Sequence, residues 1–386
     1  MSWDSIRFGD LYSEDSRNGL TKPSKVRGSG YKMINMGELF ANDRIYDIPM
    51  ELVPLKDSEK KNAKVEKGDL LFARQSLVLE GAGKCCIVMD VSSLTVFESH
   101  LIRVRLDKTK ANPLFYYYYF KSPFSPVSTI VSQCAQAGIR GSDLQELDVS
   151  FPPLPVQDRI ASILTKYDEL IENNQKQIKL LEEAAQRLYK EWFVDQRFLG
   201  YEGTEIVDGI PEGWKEQPID DVFSIKYGKT LPTSKISSMG KYPVYGANGI
   251  IGYYSEKNCD DYKVLITSRG NGSGDVLRTY DKESFVTNNS FVVTPVDEDM
   301  PFVFIHQIMK ATDFKTICTG SAQPQLTNNS ISTLRMVMPT KTIIGQFGEM
   351  AAPMYKKIES INYQIRCLSE ARDRLLPKLM SGEIEL

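Results

Sequence analysis

Only two histidines, His100 and His306, occur in the 386 residues, so a histidine-based triad or a multi-histidine metal site has almost no material. Six cysteines fall at 85, 86, 134, 259, 318 and 367. The adjacent pair cannot chelate zinc with finger-type geometry, and buried thiols in a reducing compartment are the expectation. Two stretches imitate a phosphate loop, EGAGKCC from Glu80 and YGKT from Tyr227, but Val78 and Phe223 stand where the leading glycine belongs, so neither makes a nucleotide cradle. FPPLP from Phe151 has the paired prolines of an adenine-methylating site with phenylalanine in place of the Asn or Asp that must bind the target amine. With no nuclease, helicase or methyl-donor motif either, the chain is expected to perform no chemistry alone.

What must be positioned is therefore a surface, and the sequence carries it twice. QKQIKLLEEAAQRLYK from Gln175 and YQIRCLSEARDRLLPK from Tyr363 superpose at an offset of 187, which sets Gln177 on Gln364, Leu181 on Leu368 and Leu188 on Leu375. The offset persists upstream without a gap, through Glu172 and Glu359, Pro152 and Pro339, Leu147 and Leu334, to Ala135-Gln136 and Ala322-Gln323. That is a duplication. In the first copy Tyr167, Ile171, Asn174, Ile178, Leu181, Ala185, Leu188 and Trp192 alternate four and three apart. Met354, Ile358, Ile361, Ile365, Leu368, Arg372, Leu375 and Leu379 do so in the second. This is the seam of a coiled coil, and each seam's simplest partner is the other, antiparallel. Pro353 is expected to start or kink the second helix, with Pro377 and Gly382 as stop signals. From Tyr167 to Trp192 the helix spans about 37 Å at about 1.5 Å per residue, close to one duplex turn of about 34–36 Å.

The segments before each helix share weaker, gapped similarity, opening on WDSIRFGDLY at Trp3 and WKEQPIDDVF at Trp214. Each then enters a stretch with cations and no acid. Arg17, Lys22, Lys25, Arg27 and Lys32 lie in the first, and Lys226, Lys229, Lys235 and Lys241 in the second. Interleaved Gly, Ser, Tyr and Asn, including Tyr245 and Asn248, suit loops that approach a phosphate backbone. LLFARQ at Leu70 and VLITSRGNGSG at Val264 each end a strand on an arginine, Arg74 and Arg269, with Asn271 following; such an arginine can address guanine or phosphate. KCCIVMD, HLIRVRL, KVLITS and SFVVTPV read as strands. NPLFYYYYFKS and DMPFVFIHQIMK read as buried helices begun by proline rather than as base-stacking platforms.

Length predicts two to three domains. A 41% hydrophobic and 25% charged composition is globular, and a net charge of −3 excludes a wholly basic coat while allowing a local basic face. With no apolar run of ~18 residues and no leader-like amino end, a cytoplasmic protein without a membrane partner is expected.

FPPLPVQDRIASILTKYDELIENNQKQIKLLEEAAQRLYKEWF, with its echo ending LLPKLMSGEI, resembles the central and carboxy-terminal conserved regions of the specificity subunit of type I restriction-modification enzymes. The resemblance covers the whole chain. It implies an α+β fold with two α/β target recognition domains in a pseudo-two-fold arrangement, separated by two long helices in an antiparallel coiled coil. The corresponding segments are 1–150, 151–198, 199–337 and 338–386. It further implies a non-catalytic subunit whose domains each read one half of a split, asymmetric site in double-stranded DNA. The implied partners are two modification subunits, which bind S-adenosylmethionine and methylate adenine at N6, and, where present, two restriction subunits driven by ATP and Mg. No cofactor is expected in this chain. The competing expectation is a two-domain coiled-coil scaffold that binds proteins.

Overall fold

The structure, a computed structural model, describes residues 3–76, 79–133, 137–320 and 323–385. Val78, Cys134 and the repeat pair Ala135-Gln136 with Ala322 lie outside the described residues. The chain forms two compact units, Met1–Glu172 with Arg366–Leu386, and Asn173–Ile365. The division falls inside both long helices, Leu154–Tyr189 and Lys341–Met380, whereas the sequence segmentation placed its boundaries at their ends. Each unit is thus a globule with a stretch of each helix: early first helix with late second helix in one, late first with early second in the other. That is an antiparallel assignment within each unit.

The helices form where the seams are. Ile171, Asn174, Ala185, Trp192, Ile358, Ile361 and Leu379 are buried. Tyr167, Ile178, Leu181, Leu188, Met354, Ile365, Leu368, Arg372 and Leu375 are half-buried. Leu170 and Leu180, off the seam, are exposed. Two expectations about proline are corrected. Pro353 does not start the second helix, which already runs from Lys341, so of its two expected effects the start is overturned. Pro377 does not stop it either; it continues to Met380 and closes at Gly382 with φ +71°. A proline removes one amide, and the carbonyls that lose a partner belong to Glu349 and Asp373, both on exposed residues, where water can take them.

The duplication is visible in the sheets. In the first unit the strands Tyr12–Asn18, Leu101–Leu106, Leu70–Ala73, Cys85–Val88 and Arg44–Ile45 lie side by side in that order. In the second, Phe223–Tyr227, Ser290–Pro295, Val264–Thr267 and Val276–Arg278 repeat the first four places. Three-stranded sheets recur likewise, Glu51–Val53, Tyr31–Ile34, Thr95–Phe97 and Gly249–Tyr254, Tyr242–Gly246, Phe285–Val286, each with one antiparallel and one parallel pairing. Register agrees to the residue: Ser5 faces Ser150 and Glu216 faces Val337. The alignment of Trp3 with Trp214 and the offset of 187 therefore meet in one ladder.

Both aromatic stretches are core helices. Asn112 caps Pro113–Lys121, its side chain accepting from Leu114 N at 2.8 Å, and Phe115 to Phe120 are all buried. Phe302–Ala311 is the counterpart. Each core helix ties a long helix through buried polar groups. In the first unit Tyr118 Oη donates to Asp168 Oδ2 at 2.7 Å, and Arg372 Nη1 donates to Asp168 Oδ1 at 2.6 Å. Arg44 adds an ion pair to Asp168 at 3.8 Å that lacks hydrogen-bond geometry. In the second unit His306 Nδ1 lies 2.5 Å from Tyr355 Oη, which also accepts from Gln307 Nε2 at 2.9 Å. The Arg278 guanidinium stands 4.7 Å from the Tyr355 ring centroid.

Where each main sheet gives up its first strand, the chain passes over a neighbouring backbone at a glycine. A Cβ on Gly19 would lie 2.1 Å from the Phe97 carbonyl oxygen, and one on Gly228 2.4 Å from that of Thr287. Backbone oxygens in a ladder cannot give way, so Gly19→Ala and Gly228→Ala should each destabilise by about 1–3 kcal/mol. Gly37→Ala, in the helix Met36–Ala41 with nothing within 4 Å, should be neutral or stabilising by up to about 1 kcal/mol; urea melts of the three variants check this. Burial, then repulsion from Arg278 and Lys310, holds the His306 imidazole well below its ordinary 6.5. The unfolded chain therefore binds the proton first. As pH falls below 6.5, the wild type should lose up to about 1.4 kcal/mol per pH unit relative to His306→Gln, measured as the difference between their melts down to about pH 5.

Candidate nucleic-acid interface

Beyond those glycines both units build the same backbone frame. Gly19 N donates to Leu101 O at 3.3 Å as Gly228 N does to Ser290 O at 3.0 Å. Leu20 N reaches Phe97 O at 2.8 Å, and Lys229 N reaches Val286 O at 3.0 Å. Arg74 N bonds His100 O at 2.8 Å, and Ser268 N bonds Asn289 O at 2.9 Å. Ile139 N bonds Arg74 O and Leu326 N bonds Ser268 O, both at 2.9 Å. Every bond is between backbone groups, so the side chains riding on the frame are free to differ.

In the second unit this frame gathers four of the sequence candidates. Lys229, Asn248, Arg269 and Asn271 are all exposed. The Asn248 turn is drawn in by Thr267 Oγ1, which donates to Ala247 O at 2.6 Å, and by Ser290 Oγ, which donates to Gly246 O at 3.2 Å. Lys226 is exposed on the strand leading to Lys229. Lys235 and Lys241 are exposed but stand elsewhere. Lys241 precedes the end of Tyr242–Gly246 remote from the Asn248 turn, its ammonium 4.8 Å from the Tyr242 ring centroid. Lys235 belongs to the short turn Thr233–Lys235, beyond which Ser237 pairs with Tyr253. Tyr245 is corrected: it is 2% exposed, and its hydroxyl accepts from Tyr280 N at 2.8 Å and donates to Asp281 at 3.4 Å. It lies on a strand buried along its whole length, burial pushes its phenol up, and it serves the core.

The first unit departs further from the sequence expectation. Lys22 pairs with Glu59 at 2.8 Å, Arg27 pairs with Glu51 at 2.6 Å, and Lys32 pairs with Asp47. Hydrogen bonding to the Lys22 ammonium holds the Glu59 carboxyl below its ordinary range. A stretch free of acids in sequence is thus neutralised in space by acids that arrive later in the chain. Among the described residues Arg17 and Lys25, both exposed, have no ion pair. Lys84, of the first imitation phosphate loop, is held by Phe40 O at 3.0 Å and Asp43 at 3.5 Å.

The pairing of Arg74 with Arg269 is also corrected. The frame makes Arg74 equivalent to Ser268 and Gln75 equivalent to Arg269: Gln75 faces Gly138 as Arg269 faces Gln325. A slip of one residue in a strand moves a side chain to the other face. Arg74 is half-buried, its Nη1 donating to Ser99 O at 3.5 Å. Sequence reasoning passed over Gln75, and it weighed His100 only as a catalytic or metal residue; a gapped alignment anchored on Trp3 and Trp214 would have exposed both. Among the described residues no three His, Cys, Asp or Glu side chains gather to hold a metal ion, and no helix is long and apolar enough to cross a membrane.

Comparison with known proteins falls on this architecture. The chain is 27% identical over 301 residues to the type I restriction enzyme MjaIX specificity subunit of Methanocaldococcus jannaschii, covering 71% of this chain and 69% of that protein. It is 23% identical to the HindI specificity subunit of Haemophilus influenzae, covering 99% of each. The crystal structure of a type I restriction-modification S subunit from M. genitalium shares the fold, with a TM-score of 0.57 over 98% of this chain and 96% of that one at 20% identity. The family model for the type I restriction modification DNA specificity domain matches residues 2–183 and 211–360. Since those two matches take in both globules, most of the first long helix and half of the second, the chain belongs to the type I restriction modification DNA specificity family.

Proposed function

We propose that this chain is the DNA-reading subunit of a type I restriction-modification complex, each unit addressing one half of a split, asymmetric site. The carrying observation is the frame built twice with the same backbone bonds and unlike side chains at matched places, Leu20 against Lys229 and Gln75 against Arg269, as two heads that read different sequences require. Lysines such as Lys229 would position each head on phosphate while Asn, Arg and Gln side chains contact base edges in the major groove. The chain would direct adenine methylation or cleavage carried out by others. Two modification subunits would supply the S-adenosylmethionine and the methyl transfer, and restriction subunits the ATP- and Mg-driven cleavage. The long helices would set the unread gap.

Inserting one heptad after Gln175 and another after Asn362 adds about 10 Å of helix to each rod, or about three base pairs. The mapped methylation motif should keep both half-sites and lengthen the gap by about that amount; an unchanged gap defeats the ruler. In a salt titration of the assembled complex, affinity should fall steeply with rising salt as phosphate contacts release counterions. A flat profile would instead favour a protein-binding scaffold, which the neutralised cations of the first unit would suit.

A further inference from the structure

We propose that Gln75 and Arg269 are the equivalent base-reading side chains of the two heads, Gln75 addressing adenine and Arg269 guanine, with His100 as the positioning residue for Gln75. The inference rests on the reading above and names the residues that would carry its specificity.

The position before each of them has a structural task. Ser268 is fully buried, and its hydroxyl donates to Asn288 O at 3.3 Å. Arg74 sends its guanidinium to Ser99 O at 3.5 Å. Asn288 N bonds Lys229 O at 3.2 Å and Ser99 N bonds Leu20 O at 3.0 Å, so these are the same carbonyl in the two frames. One phase of the segment is thereby committed to holding the frame, and the next residue, in the opposite phase, is turned away from that task. Arg269 is exposed there, with no hydrogen bond or ion pair among the described residues. Its planar fork of donors suits guanine O6 and N7 in the major groove.

Gln75 has the complementary chemistry. His100 Nδ1 lies 2.9 Å from Gln75 Oε1; an amide oxygen only accepts, so an imidazole carrying a proton at Nδ1 donates to it and fixes the amide plane. The amide keeps two N–H donors and one acceptor lone pair, enough to donate to adenine N7 and accept from adenine N6. His100 is itself fixed, because its carbonyl receives Arg74 N at 2.8 Å. A Cβ on Gly138, which faces Gln75, would stand 3.0 Å from Arg74 O; glycine there keeps the crossing close and leaves the neighbouring amide uncovered.

The test uses the full chain assembled with modification subunits, its methylated motif mapped and its binding competed with duplexes carrying each base pair at every position. The parent should show an A·T pair in one half whose discrimination falls about 5- to 150-fold in Gln75→Ala, and a G·C pair in the other that responds likewise to Arg269→Ala. Gln75→Arg should re-specify its position to guanine, and His100→Ala should weaken the adenine preference without touching the other half. Should an alanine variant fail to fold, as judged by its melt, Gln75→Glu and Arg269→Lys take its place; the first should turn its preference toward cytosine, and the second should lose guanine discrimination while keeping the salt slope. Parent motifs retained in both halves by the folded Gln75 and Arg269 variants overturn the inference and leave the split-site reading standing. A parent complex with no split motif overturns the reading itself, and the inference with it.

Discussion

Two strands can lie against a neighbouring backbone at van der Waals distance only if one residue has no side chain, and Gly19 and Gly228 satisfy that constraint in the two globules. Everything on the candidate interface is hung from the amides that follow. Leu20 and Lys229 make the same main-chain bonds with unlike side chains, whereas at Arg74 and Ser268 the side chain also reaches a frame carbonyl, that of Ser99 or Asn288. A fold whose loops are held mainly by backbone bonds and a few inward side chains can change its outward surface chemistry without disturbing its sheet.

The long helices impose the complementary demand. A seam as apolar as Ile171, Ile358 and Ile361 cannot be left wet, and all three are buried. The buried charges at its edge are tolerated because they are matched: Asp168 meets Arg372 and accepts from Tyr118. In the second unit the corresponding work is done by neutral groups and a stacked guanidinium, His306, Tyr355 and Arg278. An uncharged imidazole among tyrosines is what burial next to two cations requires.

Most of the architecture was legible because it is periodic. Heptads fixed the helices, alternating apolar runs such as HLIRVRL and SFVVTPV became strands, and Asn112 before Pro113 marked a helix start. Proline misled as a helix start at 353 and as a stop at 377, where the lost amide costs little on an exposed face. The site was less legible. Charge neutralisation acts through space, so Glu51, Glu59 and Asp47 could not be matched to their cations by scanning a local window. Tyr245 fell on a strand buried at every position, and the arginine pair was out of phase by one residue, a distinction that only hydrogen-bond register resolves.

The Asp168–Arg372 contact has an evolutionary corollary. At the offset of 187, Asp168 corresponds to Tyr355 and Arg372 to Ala185. Two copies of the first half clasping one another would set Asp168 against an alanine, leaving the buried carboxylate with Tyr118 and the more distant Arg44 but without its charged hydrogen bond from Arg372, a defect of roughly 1.5–3 kcal/mol. The ancestral repeats have become lock and key rather than twins, and neither can stand in for the other.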